Sequence, residues 1–213
     1  MTVVVGVVGD GAVWMGADTL RSTGWMGAAG VEPKIGRRAV KVKGGGHAEL
    51  LVGACGDVRM AQRVRWRLKP PAYRPGQDLF EWALAFADRF QALLAENKGG
   101  RNRNDGSAEG QLLVAFQGRL FGIGGSYGVV ERRGGWDSIG SGCEFALGAL
   151  YATRGQRPER RVRVALRAAA RYDLHVGAPF QIERLDTAPA LVAVPSDGGP
   201  GEPAALATVS ATA

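Results

Sequence analysis

Residues 2–18, Thr-Val-Val-Val-Gly-Val-Val-Gly-Asp-Gly-Ala-Val-Trp-Met-Gly-Ala-Asp, consist of two apolar runs around a turn. Asp-Gly between apolar residues is a strong sequence signal for a β-hairpin. If the loop is Gly9–Gly11, the paired strands set Thr2 opposite Asp18. A two-residue loop would shift this pairing by one position. The sequence therefore predicts a hairpin that brings the two ends of this stretch together.

A possible catalytic group follows from the polar residues Thr2, Asp18 and Lys34, which recur at equal spacing. Removal of Met1 would leave Thr2 with a hydroxyl and a free amine. A hydroxyl needs a base to become a nucleophile, and an α-amino group with a pKa of about 7.7–8.0 can be that base. A nearby ammonium would lower the pKa of this amine, and a carboxylate would hold the ammonium in place.

The same stretch resembles the start of proteasome β subunits and of the bacterial HslV-type peptidase, both N-terminal nucleophile (Ntn) hydrolases. The residues that carry the resemblance are Thr2–Val7, Gly16–Thr19 and Lys34. The resemblance covers roughly 2–185 and implies an α+β fold, a four-layer αββα sandwich of two antiparallel sheets between helix layers. It also implies a threonine endopeptidase of unfolded proteins, homo-oligomeric stacked rings and a separate ring ATPase, although no motif here names that partner.

The resemblance extends to the strand-to-helix corner at Val52–Asp57. It assigns the amide that stabilises the oxyanion to Gly53. A glycine there would let the backbone approach a substrate closely. The same alignment places four residues near the pocket for the side chain that precedes the cleaved bond, and their mixed charges leave the specificity open: Arg21, Glu32, Leu51 and Cys55.

Two further residues are carried over from the family. Ile139–Gly142, before an Ala/Leu-rich helix, resembles the corner whose serine helps to hold the amine, which indicates Ser141. The end of a later helix resembles the one that carries a supporting aspartate, which indicates Asp173. The proteasome pattern then has a serine where this chain has Val176, so the continuation is closer to the bacterial type.

Periodicity and stop signals predict the element order strands, two helices, strands, two helices, strands. The predicted helices are Asp57–Lys69, Asp78–Asn97, Phe145–Thr153 and Pro158–Asp173, and Lys98–Gly110 is predicted to be a loop. We expect one domain at 1–185. The Ala/Pro/Gly-rich tail at 186–213 could add one edge strand at Leu191–Val194 before a disordered end.

Composition sets bounds on the class of protein. The chain has 213 residues, of which 46% are hydrophobic and 22% charged, which suits one globular domain. No apolar run reaches the length of a membrane span, and the start lacks the features of a signal peptide, so we expect a cytoplasmic setting. Cys55 and Cys143 give no reason to expect a disulfide scaffold.

Cofactor chemistry is not expected. His47 and His175 have no partners at metal-ligand spacing, and no Ser–His triad is apparent. The glycines of Gly122–Gly128 lack the dinucleotide fingerprint, and there is no Walker A lysine. We therefore predict no metal and no cofactor.

Two alternatives remain open at this stage. One is a small-amide hydrolase of the same superfamily. The other is a non-catalytic ring or nucleic-acid-binding scaffold, suggested by the net charge of +7 and the arginine-rich helices. The arginines are dispersed without an aromatic-interleaved groove, which indicates solvated helix faces. A retained Met1 would block the amine and favour the scaffold.

Overall fold

The computed structural model describes residues 1–23, 26–30, 32–95 and 110–187. Within these ranges, the chain forms the following strands and helices in order: β1 (Val3–Gly9), β2 (Ala12–Asp18), β3 (Leu20–Thr23), β4 (Met26–Ala29), β5 (Ile35–Lys41), β6 (His47–Gly56), α1 (Val58–Arg67), α2 (Leu79–Ala95), β7 (Gly110–Phe116), β8 (Arg119–Ile123), β9 (Val129–Val130), β10 (Trp136–Gly140), α3 (Cys143–Ala152), α4 (Pro158–Tyr172) and β11 (Phe180–Asp186).

The first hairpin has a two-residue turn, so the pairing built on a three-residue loop was wrong. Gly9 pairs with Ala12. Asp10 and Gly11 both have positive φ, at 53° and 65°. A turn of this kind matches the right-handed twist of the flanking strands. The shift by one leaves Thr2 just beyond the paired region.

Two antiparallel sheets form the centre of the molecule. One has the strand order β10-β1-β2-β11, and the other has the order β5-β6-β7-β8-β9. A separate hairpin pairs β3 with β4. The strand β10 was not predicted, and it pairs with β1 from Val3↔Gly140 to Val7↔Trp136.

Three apolar cores separate four layers. The first lies between α1, α2 and the five-stranded sheet, and includes Trp82 and Phe116. The second lies between the two sheets, and includes Val4 and Leu51. The third lies between the four-stranded sheet and the helices α3 and α4. This arrangement confirms the predicted four-layer αββα sandwich.

The helices match the predicted ones with small changes at their ends. Asp57 is the N-cap of α1, where its side chain accepts a hydrogen bond from the Met60 amide at 2.9 Å. Most of the predicted loop at 98–110 and the tail beyond residue 187 lie outside the described residues. In the described part of the chain, no helix has both the length and the apolar character to cross a membrane.

Candidate active site

Asp18 connects the backbone beside Thr2 to the ammonium of Lys34. Its carboxylate is fully buried at the end of β2. Oδ1 accepts hydrogen bonds from the Val3 amide at 3.0 Å and from Lys34 Nζ at 2.8 Å, and Oδ2 accepts one from the Leu20 amide at 3.1 Å. Lys34 Nζ also donates to the Leu20 carbonyl at 2.7 Å. The carboxylate therefore fixes the lysine next to the start of β1.

The ammonium of Lys34 is almost fully buried, with a side-chain exposure of 7%. Burial lowers the pKa of Lys34, while the hydrogen bond and the charge of Asp18 raise it. A charged lysine in this position would disfavour a second positive charge nearby. The pair is thus suited to lower the pKa of an amine at residue 2.

Thr2 is buried beside Ser141, which follows β10. The Thr2 nitrogen donates to Ser141 Oγ at 3.3 Å, and Ser141 Oγ lies 3.4 Å from the Thr2 carbonyl oxygen, to which it donates. The Thr2 hydroxyl donates to the Met1 carbonyl at 2.5 Å. With Met1 attached, the Thr2 nitrogen is an amide that cannot act as a base. Met1 itself is 60% exposed, whereas Thr2 is buried.

Gly140 makes the close approach of β10 to Thr2 possible. Its φ is +97°, a conformation that favours glycine. A Cβ at this position would lie 2.1 Å from the Thr2 carbonyl oxygen. A larger residue would push the candidate nucleophile out of place.

Gly53 lies inside the sheet and not at an open edge. It is paired with Ile35 on β5 and with Leu113 on β7. The Ile35 amide and carbonyl both bond to the side chain of Gln181, at 3.0 and 2.9 Å, so they point away from β6. In an antiparallel sheet, the amide of Gly53 must then point to Leu113. The expected oxyanion donor is therefore engaged in the ladder.

Gly56, at the end of β6, differs from Gly53 in the direction of its amide. Amides alternate between the two sides of a strand, so the Gly56 amide points to the side of β6 opposite to that of Gly53. On that side, the β5 pairing has already ended at Ile35↔Gly53. Gly56 is exposed, with a φ of +116°. Its amide is therefore on the side of β6 that β5 does not cover at this point.

A cleft beside Lys34 holds two of the four predicted pocket residues. Arg21 and Glu32 form its rim, and their side chains approach to 3.4 Å. Its walls include Ala54 and Val58, and the volume is only about 30 Å³. Glu32 also accepts hydrogen bonds from Gln62 and Trp66.

Leu51 and Cys55 do not line this cleft, and their expected place near the specificity pocket stays a prediction. Both side chains belong to the core between the two sheets. Side chains alternate between the faces of a strand, so the neighbouring Val52 and Ala54 face the cleft instead. Burial raises the pKa of the Cys55 thiol from 9.0 to about 11.

Asp173 lies at the C-terminal end of α4. It is the C-cap of the helix, and its Oδ1 accepts from the His175 amide at 2.9 Å. Its Oδ2 is buried and has no hydrogen-bond partner among the described residues. The adjoining Ala169 and Val176 pack on Gly142: a Cβ there would lie 2.9 Å from Ala169 Cβ and 3.2 Å from Val176 Cγ2. The α4 end therefore supports the segment that carries Ser141.

Across the described ranges, no group of three or more His, Cys, Asp or Glu side chains is placed to hold a metal ion. Thr2 bonds to the hydroxyl of Ser141, and the ammonium of Lys34 and the carboxylate of Asp18 meet at the neighbouring Val3 amide. Such a set can support acid–base and nucleophilic chemistry.

The fold has many counterparts among solved structures. BPH from Thiobacillus denitrificans superposes with a TM-score of 0.72 at 22% identity, over 88% of this chain and 99% of that one. A further BPH structure, in complex with epoxomicin, has a TM-score of 0.71 at 22% identity, over 88% of this chain and 100% of that one. HslV from Trypanosoma brucei gives 0.65 at 21% identity, over 86% and 99%.

Anbu from Pseudomonas aeruginosa, solved as a helical assembly, gives a TM-score of 0.64 at 16% identity, over 86% of this chain and 81% of that one. No protein-family model matches the sequence, and no curated protein matches it. At these identities the likeness concerns the fold. The chain has the Ntn-hydrolase fold of HslV and proteasome-like subunits, in agreement with the resemblance at its start.

Proposed function

We propose that this chain is a threonine endopeptidase whose nucleophile is Thr2, exposed when Met1 is removed. The observation that carries the proposal is that the buried Lys34–Asp18 pair bonds to the amide of Val3, next to Thr2, while Ser141 bonds to Thr2 itself. The fold shared with HslV and BPH supports it. Peptide bonds of unfolded proteins are the proposed substrate.

The proposed mechanism uses the amine and the hydroxyl of the same residue. The Thr2 amine takes the hydroxyl proton, and Oγ1 attacks the peptide carbonyl. The C–N bond breaks, the leaving amine takes that proton, and an acyl ester remains on Thr2. The amine then takes a proton from water, the hydroxide attacks the ester, and the acid product leaves as Oγ1 regains a proton.

The surrounding groups have separate proposed roles. Lys34, held by Asp18, keeps the amine neutral near neutral pH. Ser141 orients the amine through its hydroxyl. The Gly56 amide, and not that of Gly53, stabilises the oxyanion, since it faces the side of β6 that β5 leaves open. Asp173 acts through α4, by supporting the segment of Ser141.

The cleft beside Lys34 is the proposed pocket for the residue before the cleaved bond. Its small volume and the walls of Ala54 and Val58 favour small apolar side chains. The charges of Arg21 and Glu32 offset each other at the rim, so neither sign of substrate charge gains a clear advantage. Glu32 and Arg21 are the residues we expect to tune this preference.

The proposal includes association of the chain into homo-oligomers. It also includes a separate ring ATPase that supplies substrate, and a cytoplasmic location for the peptidase. Large apolar side chains are exposed on the α3–α4 side, including Tyr172 and Leu174. Tyr172 lies against Phe145, with ring centroids 5.4 Å apart. Exposed apolar patches of this kind mark interaction surfaces.

The direct test compares wild type, Thr2→Ala and Thr2→Ser on casein and on fluorogenic peptides with alanine or valine before the reporter. We expect Thr2→Ala to lose hydrolysis completely with an unchanged circular dichroism spectrum. Thr2→Ser should keep measurable activity because the hydroxyl and amine remain. Unchanged cleavage by Thr2→Ala would refute the proposal. Cleavage of small amides without cleavage of peptides would favour the small-amide hydrolase.

A further inference from the structure

A second, larger cleft lies between α1 and α2 on the outer helix layer. Its volume is about 530 Å³, within the range of ligand sites. The lining combines five cationic side chains with three apolar ones: Arg59, Arg63, Arg67, Lys69, Arg89, Leu68, Ala92 and Leu93. No carboxylate is among these described lining residues. Four of the five cations are exposed, and Arg63 is half-buried.

The spacing of the arginines gives the site a length scale. Arg59, Arg63 and Arg67 are four residues apart on α1, so they lie on one face, with a rise of about 6 Å from one to the next. In an extended peptide, side chains on the same face repeat every ~6.6 Å. Three carboxylates at alternate positions of an extended strand would therefore meet three successive arginines.

The apolar part of the lining distinguishes between anionic partners. Leu68, Ala92 and Leu93 offer surface to carbon atoms, which a peptide has between its acidic side chains and an inorganic phosphate lacks. A second copy of this chain is a poor occupant because each copy carries a net charge of +7. The cleft thus fits a partner of opposite charge that also has apolar groups.

We propose that the α1–α2 cleft binds an extended acidic peptide segment of a partner protein, with acidic and aliphatic residues in alternation. Arginine forks match carboxylates in two-point geometry. Arg63 has a structural task as well, since its guanidinium donates to the Leu93 carbonyl and ties α1 to α2. Arg59, Arg67 and Arg89 are therefore the arginines whose proposed role is to bind the peptide and not also to hold the two helices together.

The test measures fluorescence anisotropy of a labelled peptide Glu-Leu-Glu-Leu-Glu with the full chain at physiological ionic strength. The Thr2→Ala background prevents cleavage and makes the result independent of the proposed peptidase activity. We expect Arg59→Gln/Arg67→Gln to weaken binding about ten-fold or more, because each lost charge-assisted bond contributes separately. The control Arg160→Gln/Arg167→Gln removes two exposed charges from α4 and should change binding less than about two-fold.

Three outcomes would overturn the proposal. One is equal weakening by both double variants, which would mean unspecific charge attraction. Another is equal binding of the matched peptide Gln-Leu-Gln-Leu-Gln, which would remove the role of the carboxylates. The third is absence of peptide binding together with tight binding of tripolyphosphate or a single-stranded oligonucleotide, which would make the cleft a phosphate site.

Discussion

At the scale of single residues, the buried charge of Asp18 depends on its hydrogen-bond partners. It is fully buried and accepts from two backbone amides and from Lys34. Such a carboxylate cannot be replaced by a neutral group without leaving a buried ammonium unpaired. Its role in the site and its role in the stability of the fold are therefore inseparable in a single substitution.

We predict that Asp18→Asn lowers the free energy of unfolding by about 3–5 kcal/mol, because the Lys34 ammonium stays buried without its partner. The double variant Asp18→Asn/Lys34→Met should regain about 1–3 kcal/mol of this loss, since the unpaired charge is gone. Urea unfolding of the two variants measures the difference. Equal stabilities of the single and double variants would contradict the pairing.

Cys55 gives a prediction for alkaline pH. Its pKa rises from 9.0 to about 11 on folding, so between these values the unfolded chain loses the thiol proton while the folded chain keeps it. The free energy of unfolding is therefore unaffected by this group below pH 9. It falls by about 3 kcal/mol as the pH rises from 9 through 11. The pKa of Lys34 is lowered on folding, so the contribution of this group makes the free energy of unfolding rise with pH as the pH approaches its ordinary pKa of 10.5.

The contribution of Cys55 is isolated by comparing wild type with Cys55→Ala in urea unfolding at a series of pH values. Cys55→Ala is less stable at neutral pH because it leaves a cavity, but its stability should fall less steeply above pH 9. Cys143→Ala is the comparison variant: burial raises the pKa of this half-buried thiol as well, but by less than that of Cys55, so its pH profile should change less. Parallel pH profiles of wild type and Cys55→Ala would show that the Cys55 thiol does not titrate as proposed.

At the scale of elements, β10 is the strand that delivers Ser141 to the site, and Gly140 sets its approach. We predict that Gly140→Ala lowers peptidase activity by at least about 100-fold and stability by about 2 kcal/mol or more, because a Cβ collides with Thr2. Gly148→Ala in α3 is the matched control. Nothing lies within 4 Å of its Cβ position, so it should stabilise the chain by up to about 1 kcal/mol.

Activity is measured with the fluorogenic peptides and stability by thermal unfolding. Wild-type activity in Gly140→Ala would mean that the position of Thr2 relative to β10 is unimportant. Loss of activity in Gly148→Ala would mean that α3 is generally intolerant of substitution, and the effect at Gly140 would lose its meaning.

The elements also show where sequence reasoning succeeded and where it could not. The Asp10-Gly11 signal predicted the hairpin, but not the one-residue difference in register, which depends on the twist of the strands. The strand β10 was hidden because polar Asp137 and Ser138 are buried in it. Gly53 and Gly56 differ in the side to which their amides point, and pairing with both neighbouring strands decides this.

At the scale of the whole molecule, the exposed side chains of the α3–α4 side provide the prediction on association. Leu174 is 93% exposed, next to Tyr172. We predict that Tyr172→Arg/Leu174→Glu reduces the oligomer to smaller species in sedimentation velocity, because it places charges in an apolar interface. Leu84→Glu, at an exposed apolar position of α2, is the control and should leave the oligomer intact. A monomeric wild type, or an unchanged double variant, would contradict this surface.

The four-layer architecture itself followed from the first thirty-four residues, because their motif implies a known fold. The cleft linings did not follow, since they depend on the alternation of side chains along β6 and on the packing of α1 against α2. The arginines of α1 are visible in the sequence as a dispersed set, but only the fold gathers them with Lys69 and Arg89 around one cleft.

The central claim is that residue 2 supplies both the attacking oxygen and the base that activates it. Intact mass spectrometry of the purified chain, before and after incubation with an electrophilic peptide epoxide, tests it most directly. We predict a starting mass lower by one methionine residue, a single stoichiometric adduct after incubation, and no adduct in Thr2→Ala. A chain that retains Met1, or an adduct that persists in Thr2→Ala, would contradict the assignment.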